Sequence, residues 1–447
     1  MEKWGPTMKK IFVAGAGLVA RPLVKYLLDQ PGFLVEVADV EPGRAEKIVG
    51  GHPRGMAVKI DIQDEALLAA KIAGADLAIS MLPFTFHPML GRICIAHGKP
   101  MVTASYVSPA MKALDEDARR KGVILLNELG LDPGIDHMEA MRVIHGIKAE
   151  GGQVVSFISY CGGLPAPEAN TNPFGYKFSW SPKGVLLAGK NSARFLEDGK
   201  IVLIPSEKLF ESYKIFPVPG LGDFEAYPNR DSVPYAEAYG IPETKTILRG
   251  TLRYPGWCLT MKKIGDLGLL DQTERNFSGM TYAGFLKELA HGAPKEDLKG
   301  ALARALSLEP GSAVIGNMTW LGLLGEAPIR AGKSTALDVL AGLMIEKLQY
   351  AEGERDMIIL QHMFLAARLD GTKEKITSTL IDYGVPHGDS SMSRTVGLPA
   401  AIGARFILEG KIRLTGVRTP IDPEIYEPIL DELKNHRVEF KEERTTL

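Results

Sequence analysis

The sequence predicts an α/β protein: a doubly wound parallel sheet, joined to a mixed α/β domain with a largely antiparallel sheet and a small helical insertion. Three observations carry this expectation. Residues 10–129 alternate short apolar runs with helix-length segments. A glycine-rich turn, Gly15-Ala16-Gly17-Leu18-Val19-Ala20, joins the first run to the first helix. After Leu129 the rhythm changes, and two long strand-like runs flank Asp370-Gly371, a signal for a two-residue hairpin turn.

The strands of the first part are expected at 11–15, 34–39, 57–61, 77–82, 101–105 and 123–129. They are near-continuous apolar runs, as strands covered on both faces require. Helices are expected at 18–30, 65–72, 87–97 and 109–121. Pro88 suits the first turn of its helix, where a missing N–H costs little. Beyond them, 135–150 reads as a helix ended by Gly151-Gly152, and 153–161 as a longer strand. Residues 162–183 are rich in Gly, Pro, Asn and aromatics, and a loop of that length inside a compact protein is usually functional. Residues 277–325 and 337–348 are helical in pattern, and 357–369 with 372–383 form the hairpin. Helices at 395–408 and 423–435 close the chain and are expected to return to the first domain. The expected domains are 8–129 with 391–447, then 130–261 with 347–390, and a helical insertion at 262–346. Residues 1–8 read as a disordered leader.

Composition narrows the function classes. The 447 residues balance 52 Lys and Arg against 54 Asp and Glu, for a formal charge of −2. That balance disfavours duplex DNA or an anionic membrane as a general partner. Three cysteines, Cys94, Cys161 and Cys258, form no CxxC pair, so neither a disulfide scaffold nor a metal site is expected. They fit a reducing, cytoplasmic setting. No run of about 18 apolar residues is present to span a bilayer. Lys9-Lys10 before the apolar run superficially resembles a signal peptide, but Arg21-Pro22 interrupt it at once.

The glycine turn fits a dinucleotide. Gly15 permits the tight turn, Gly17 lets the backbone approach a pyrophosphate, and Ala20 is small enough for helix–strand packing. The following helix N-terminus presents free N–H groups to the phosphates. This is the Rossmann fingerprint, and Asp39 follows at about the 20-residue spacing of a ribose-binding acid. A carboxylate at Asp39 repels a 2′-phosphate, and the nearest arginine is Arg44, so NAD is expected, with NADP as the alternative. Gly15, Ala16, Gly17, Leu18, Val19 and Asp39 are therefore cofactor candidates. Leu82, Pro83, Phe84, Thr103, Ala104 and Leu131 join them because they follow strands whose carboxyl ends form the ligand crevice.

Several later segments are too specific for packing alone: Ser105-Tyr106-Val107-Ser108-Pro109, Gly130-Leu131-Asp132-Pro133-Gly134-Ile135-Asp136-His137, Tyr160-Cys161-Gly162-Gly163-Leu164-Pro165, Tyr176-Lys177-Phe178-Ser179-Trp180 and Tyr227-Pro228-Asn229-Arg230-Asp231-Ser232. With Arg249–Tyr254 and Gly353–Asp356 they make the chain resemble, over nearly its whole length, the L-glutamate-forming saccharopine dehydrogenases, or saccharopine reductases. The resemblance implies an oxidoreductase of lysine metabolism. Hydride leaves the lysine ε-carbon of saccharopine, and water then releases L-glutamate and 2-aminoadipate 6-semialdehyde. It also implies a homodimer. The NADP-using fungal members carry a small residue and then Arg where this chain has Asp39-Val40, so the resemblance too implies NAD. In animals and plants the unit is fused to a second reductase, and this chain has only one dinucleotide fingerprint.

Saccharopine carries three carboxylates, so its site needs fixed cations. Arg230 is the first candidate for a bidentate clamp, with Lys177, Arg249 and Arg253 behind it. The amine must lose a proton before hydride leaves. The resemblance gives Asp132 a contact with saccharopine, and Asp132 with Tyr106 are the candidates to handle that proton. Ser105, Cys161, Gly162, Phe178, Ser179 and Thr251 complete the substrate candidates. His137 reads equally as a structural histidine. Two other functions compete: a dehydrogenase of another reductively condensed amine, such as carboxynorspermidine, and a catalytically silent NAD-binding sensor.

Overall fold

The chain is described by a computed structural model over residues 8–292 and 297–447. The leader expected at 1–8 lies, apart from Met8, outside the described residues. Contacts divide the chain into two units: residues up to Gln153 with Gly388–Lys441, and Val154–His387 with Glu442–Leu447.

In the first unit six strands follow the sequence pattern: β1 (Lys9–Ala14), β2 (Phe33–Asp39), β3 (Gly55–Lys59), β4 (Leu77–Ser80), β5 (Met101–Thr103) and β6 (Ile124–Leu126). All pair in parallel, in the order β3-β2-β1-β4-β5-β6, and a seventh strand, Gly416–Arg418, extends the sheet beside β6. The order reverses between β1 and β4, the switch point where doubly wound sheets bind ligands. One charged side chain sits inside this sheet. Glu36 is buried, and Lys10 and Lys71 each reach it at 2.5 Å, so its charge is paired rather than stranded.

The helices are α1 (Ala20–Asp29), α2 (Pro42–Val49), α3 (Glu65–Ala73), α4 (His87–Ala96), α5 (Pro109–Lys112), α6 (Asp115–Arg120) and α7 (Ile135–Ala149). The single helix expected at 109–121 is thus two. Asp115 explains the break: its Oδ1 accepts the Val417 N–H at 2.8 Å, which ties the start of α6 to the seventh strand. The closing helices return to this unit as expected. Helix Ser391–Leu408 lies against α1, and a Cβ at its Gly397 would stand 2.8 Å from the Val19 carbonyl oxygen.

Two expected boundaries move. The first unit runs past Leu129 because α7 packs on helix Pro423–Asn435, where His145 Nδ1 meets the Tyr426 hydroxyl at 2.7 Å. The last residues leave it, because strand Lys441–Thr446 joins the second sheet and Leu447 N–H bonds Lys373 O.

The second unit holds β7 (Gln153–Pro165), β8 (Ala193–Glu197), β9 (Lys200–Ile204), β10 (Lys214–Val218), β11 (Gly222–Pro228), β12 (Thr246–Arg253), β13 (Glu274–Asn276), β14 (Lys333–Thr335), β15 (Asp356–Ala367) and β16 (Lys373–Tyr383). Its main sheet runs β10-β11-β12-β7-β15-β16 and ends on Lys441–Thr446, with β8 and β9 attached at β12. β12 and β7 are parallel, whereas the other registered pairs are antiparallel, so the sheet is mixed and largely antiparallel. The β15–β16 hairpin is real, but its turn is longer than two residues. Ala367 pairs with Lys373, and the Asp370 carboxylate accepts from the Thr372 N–H and hydroxyl, which stabilises the wider loop.

The helices here are α8 (Pro182–Ala188), α9 (Pro234–Ala238), α10 (Trp257–Asp266), α11 (Tyr282–Leu289), α12 (Leu298–Leu306), α13 (Ala313–Leu321) and α14 (Ala336–Lys347). The expected insertion at 262–346 corresponds to α11–α14 with the small β13–β14 sheet. It is not an independent body, because Phe285, Leu302 and Leu340 share one core with Phe224 and Leu252 of the sheet. Among the described residues no helix is long and apolar enough to cross a membrane.

Gly397 offers a direct check on the packing of α1. Valine there is expected to lower unfolding free energy by about 1–3 kcal/mol, as overpacking does, although valine has the better helix propensity. Urea unfolding of the purified variant measures it.

Candidate functional site

The glycine turn forms because Gly15 adopts φ 103° and packs against the chain leaving β4. A Cβ there would lie 2.9 Å from Met81 O. This brings the 81–84 turn beside residues 15–17, with Leu82 half-buried and Pro83 and Phe84 exposed. Gly17 differs: a Cβ there would meet nothing within 4 Å. The helix it leads into has no side-chain cap and no acid in its first turn. An uncapped helix N-terminus facing open space beside a glycine fits a dinucleotide pyrophosphate. Leu18 is exposed and Val19 half-buried in the same turn. Asp39 ends β2, where Oδ2 accepts the Ala16 N–H at 2.8 Å and Oδ1 the Glu41 N–H at 2.9 Å. The expected ribose acid therefore also holds the glycine turn in place.

A second group gathers at the ends of β5 and β6. Glu128 N–H bonds Ser105 O, and the Glu128 carboxylate accepts the Val107 N–H at 2.9 Å, so segment 105–107 is held from both sides. Glu128 is left-handed, φ 58°, a costly conformation for a residue with a side chain. Its other oxygen lies 2.8 Å from His137 Nε2, which gives that buried histidine a structural partner. Beyond Glu128 the chain folds back tightly. Gly130 N–H bonds Pro133 O, Ile135 N–H bonds Gly130 O, and a Cβ at Gly134 would stand 2.1 Å from Gly130 O. Gly130 also rests on Ala104, which places the turn carrying buried Leu131 against the end of β5. The turn presents Asp132, half-buried, and the Tyr106 hydroxyl donates to Asp132 Oδ1 at 3.0 Å. The two residues expected to handle a proton are thus hydrogen-bonded to each other. Thr103 is buried, and Ser105 half-buried, around His87.

The remaining candidates lie in the second unit. Cys161 pairs with Thr251 in the β7–β12 register, and Tyr227 pairs with Thr251 from β11, so these three share one sheet face. Gly162 allows the close approach of β7 to β12, since a Cβ would lie 2.9 Å from Leu252 Cβ. Arg253, two residues on, is on the face of Thr251 and is 5% exposed. Its guanidinium lies over the rings of Tyr176 and Trp257, and Nη1 donates to Leu252 O. Nε has no partner, and among the described residues no carboxylate stands within ion-pair distance. Among the described residues, Ser179 Oγ, Trp257 Nε1 and the Tyr350 hydroxyl are also buried without partners. A buried cation is rarely left without an anion, and Arg253 with Trp257 beside it fits one. Burial pushes the Tyr227 hydroxyl up to about 12, so it too stays a donor at neutral pH.

Lys177 departs from the expectation. Its ammonium is 2.5 Å and 2.7 Å from the Glu354 carboxylate oxygens and bonds the Thr171 hydroxyl, so its charge is already balanced inside the unit. Phe178 packs partly buried beside it, with its N–H on Leu348 O. Arg230 is exposed and left-handed, φ 56°, beside a shallow pocket of about 280 Å³ shared with Asn191, Ser192 and Arg194. Its segment is tied to β12, since Asn229 N–H bonds Arg249 O and Arg249 N–H bonds Ser232 Oγ. Arg249 stacks on Tyr235. Arg253 is therefore the cation that the fold sets aside most clearly, and the sequence signal for it was an arginine inside an apolar central strand.

Comparison with known proteins agrees across the whole chain. A family model described as the saccharopine dehydrogenase NADP binding domain matches residues 11–126, and one described as the saccharopine dehydrogenase C-terminal domain matches 130–438. The NADP(+), L-glutamate-forming saccharopine dehydrogenase of Schizosaccharomyces pombe is 40% identical over 98% of this chain and 99% of its own. That of Saccharomyces cerevisiae is 41% identical over 98% and 99%. The mitochondrial alpha-aminoadipic semialdehyde synthase of Bos taurus is 37% identical, and the match spans 98% of this chain but 48% of that protein. The solved apo structure of the S. cerevisiae L-Glu-forming enzyme superposes with a TM-score of 0.88 at 38% identity, covering 98% of this chain and 100% of that one.

The two glycines of the turn should separate by experiment. Gly17→Val is expected to keep the melting temperature and weaken dinucleotide binding at least tenfold, read by titration calorimetry. Gly15→Ala is expected to lower the melting temperature, because its Cβ meets Met81 O.

Proposed function

The chain belongs to the saccharopine dehydrogenase family, and on that premise we propose that it oxidises saccharopine to L-glutamate and 2-aminoadipate 6-semialdehyde with NAD as its preferred cofactor. The observation that carries the substrate reading is Arg253, a buried guanidinium without a carboxylate partner among side chains whose donors are also unsatisfied. Such a site costs several kcal/mol until an anion enters it, and saccharopine brings three carboxylates. The named relatives at 40% and 41% identity are L-glutamate-forming saccharopine dehydrogenases, which favours saccharopine over another condensed amine.

Gly15–Val19 and the first turn of α1 would hold the dinucleotide, with Asp39 at the adenosine ribose and Leu82–Phe84, Thr103, Ala104 and Leu131 along its path. When bound, the nicotinamide supplies the hydride acceptor. Everything else falls to the chain. Arg253, with Ser179 and Thr251, fixes a substrate carboxylate, and Arg230 is the candidate for a second. Asp132 takes the amine proton or holds the amine while it leaves, and Tyr106 keeps Asp132 oriented by its hydrogen bond. Fixing the substrate carboxylates limits how the substrate can lie, and positioning alone contributes much of the rate.

Cofactor choice turns on Asp39. The named fungal relatives use NADP(+). Here the carboxylate is locked toward the glycine turn by Ala16 and Glu41. A phosphate about 4 Å away would be repelled by about 1–4 kcal/mol, or roughly one to three decades in affinity.

Initial rates of NADH and NADPH formation with saccharopine test both parts. Turnover with NAD favoured at least tenfold is expected, and Asp39→Ser with Val40→Arg should invert the preference. Turnover with NADP favoured would remove the cofactor reading and keep the substrate. Absence of turnover on folded, NAD-binding protein would remove the substrate. Arg253→Met is expected to raise the KM for saccharopine at least tenfold without loss of thermal stability, since it removes an uncompensated buried charge.

A further inference from the structure

His87 opens α4 and is 3% exposed. Three hydroxyls surround its ring, all from the carboxyl ends of strands or just beyond them. Nδ1 lies 2.9 Å from Ser80 Oγ at the end of β4. Nε2 lies 2.8 Å from Ser105 Oγ and 3.1 Å from Thr103 Oγ1, at and after the end of β5. Burial lowers its pKa to about 4, so the ring is neutral at working pH and carries a single N–H.

The hydroxyls decide where that hydrogen sits. Ser80 is 1% exposed, and its hydroxyl has no side-chain partner except Nδ1. If Nδ1 carried the hydrogen, the Ser80 hydrogen would be left without an acceptor inside the sheet. If Ser80 donates to Nδ1, the ring hydrogen is on Nε2 and points at Ser105, the nearer of its two neighbours, while Thr103 Oγ1, which accepts the Ser105 N–H at 3.4 Å, turns its own hydrogen away from the ring. Ser105 Oγ then accepts from the ring, and its own hydrogen is released toward the half-exposed side. The spare donor is moved out of the sheet to the crevice, where a ligand can meet it.

We propose that His87 is a positioning residue: Ser80 fixes it as the Nε2–H tautomer, and it turns the Ser105 hydroxyl outward as a donor to an acceptor oxygen of the substrate, a carboxylate. His87 is not a proton shuttle, because the chain behind it ends at the buried Ser80 hydroxyl. The inference rests on the reading of Ser105 as a substrate contact, which has its own control.

The test uses the full chain with saccharopine and NAD, and side-chain ¹⁵N shifts of His87 in histidine-labelled protein. Protonation at Nε2 is expected, and protonation at Nδ1 overturns the proposal. In kinetics, Ser80→Ala should raise the KM for saccharopine about three- to tenfold, the size of one hydrogen bond, with dinucleotide affinity unchanged. His87→Gln, whose amide reaches the Nε2 position, should recover most of what His87→Leu loses, and His87→Asn should not. If His87→Leu does not fold, the Ser80→Ala kinetics and the ¹⁵N shifts decide alone. Ser105→Ala is the control. If it lowers kcat/KM while Ser80→Ala and His87→Leu stay within twofold of the parent, the role of His87 is refuted and Ser105 stands. If Ser105→Ala itself is silent, the reading of Ser105 fails and the proposal fails with it.

Discussion

No side chain fits where the chain leaves the first sheet. Gly134 folds back onto Gly130 so closely that a Cβ would overlap its carbonyl, and Gly130 in turn lies on Ala104. The group of residues at the ends of β5 and β6 is arranged around that closure. The turn puts Asp132 within reach of Tyr106. Glu128, just before it, is left-handed, and its carboxylate bonds segment 105–107 and His137. The strained residue and the tight turn together fix three consecutive residues that would otherwise be an ordinary loop after a strand.

The second unit uses the opposite device. Its closest constraint is electrostatic and is left open. Most buried charges in the chain are balanced: Glu36 by two lysines, Lys177 by Glu354. Glu225 caps the N-terminus of α10 through the N–H groups of Gly256 and Cys258. Arg253 differs: among the described residues it is held by ring faces and one carbonyl. Leaving this charge open trades local stability for a place an anion can occupy.

The parallel sheet and the glycine turn were legible because they rest on local pattern. Apolar runs, turn glycines and an acid at the end of β2 are all visible within a few residues. The helix pair at Pro109–Arg120 was not, because the bond that breaks it comes from Val417. Lys177 looked like a substrate cation for the same reason, since Glu354 lies far along the chain. Arg253 was named among the candidates but ranked below Arg230. Spacing shows that an arginine sits in a strand and cannot show that its neighbours are rings. His87 was read only as a helix start, and its role depends on three hydroxyls from different segments.

The interleaving of the two units bears on how the chain is made. The first unit begins with the first strand, yet its cover over α1, its support for α7 and its seventh strand all come from residues after Gly388. The second sheet likewise takes its last strand from Lys441–Thr446. Neither unit can be completed before the residues after Gly388 have been made, so the first unit does not close ahead of the second in the usual domain-by-domain order. A nascent chain must carry an open parallel sheet, with the apolar side of α1 uncovered, through the synthesis of the entire second unit. Loss of the residues after Gly388 therefore removes parts of both units at once.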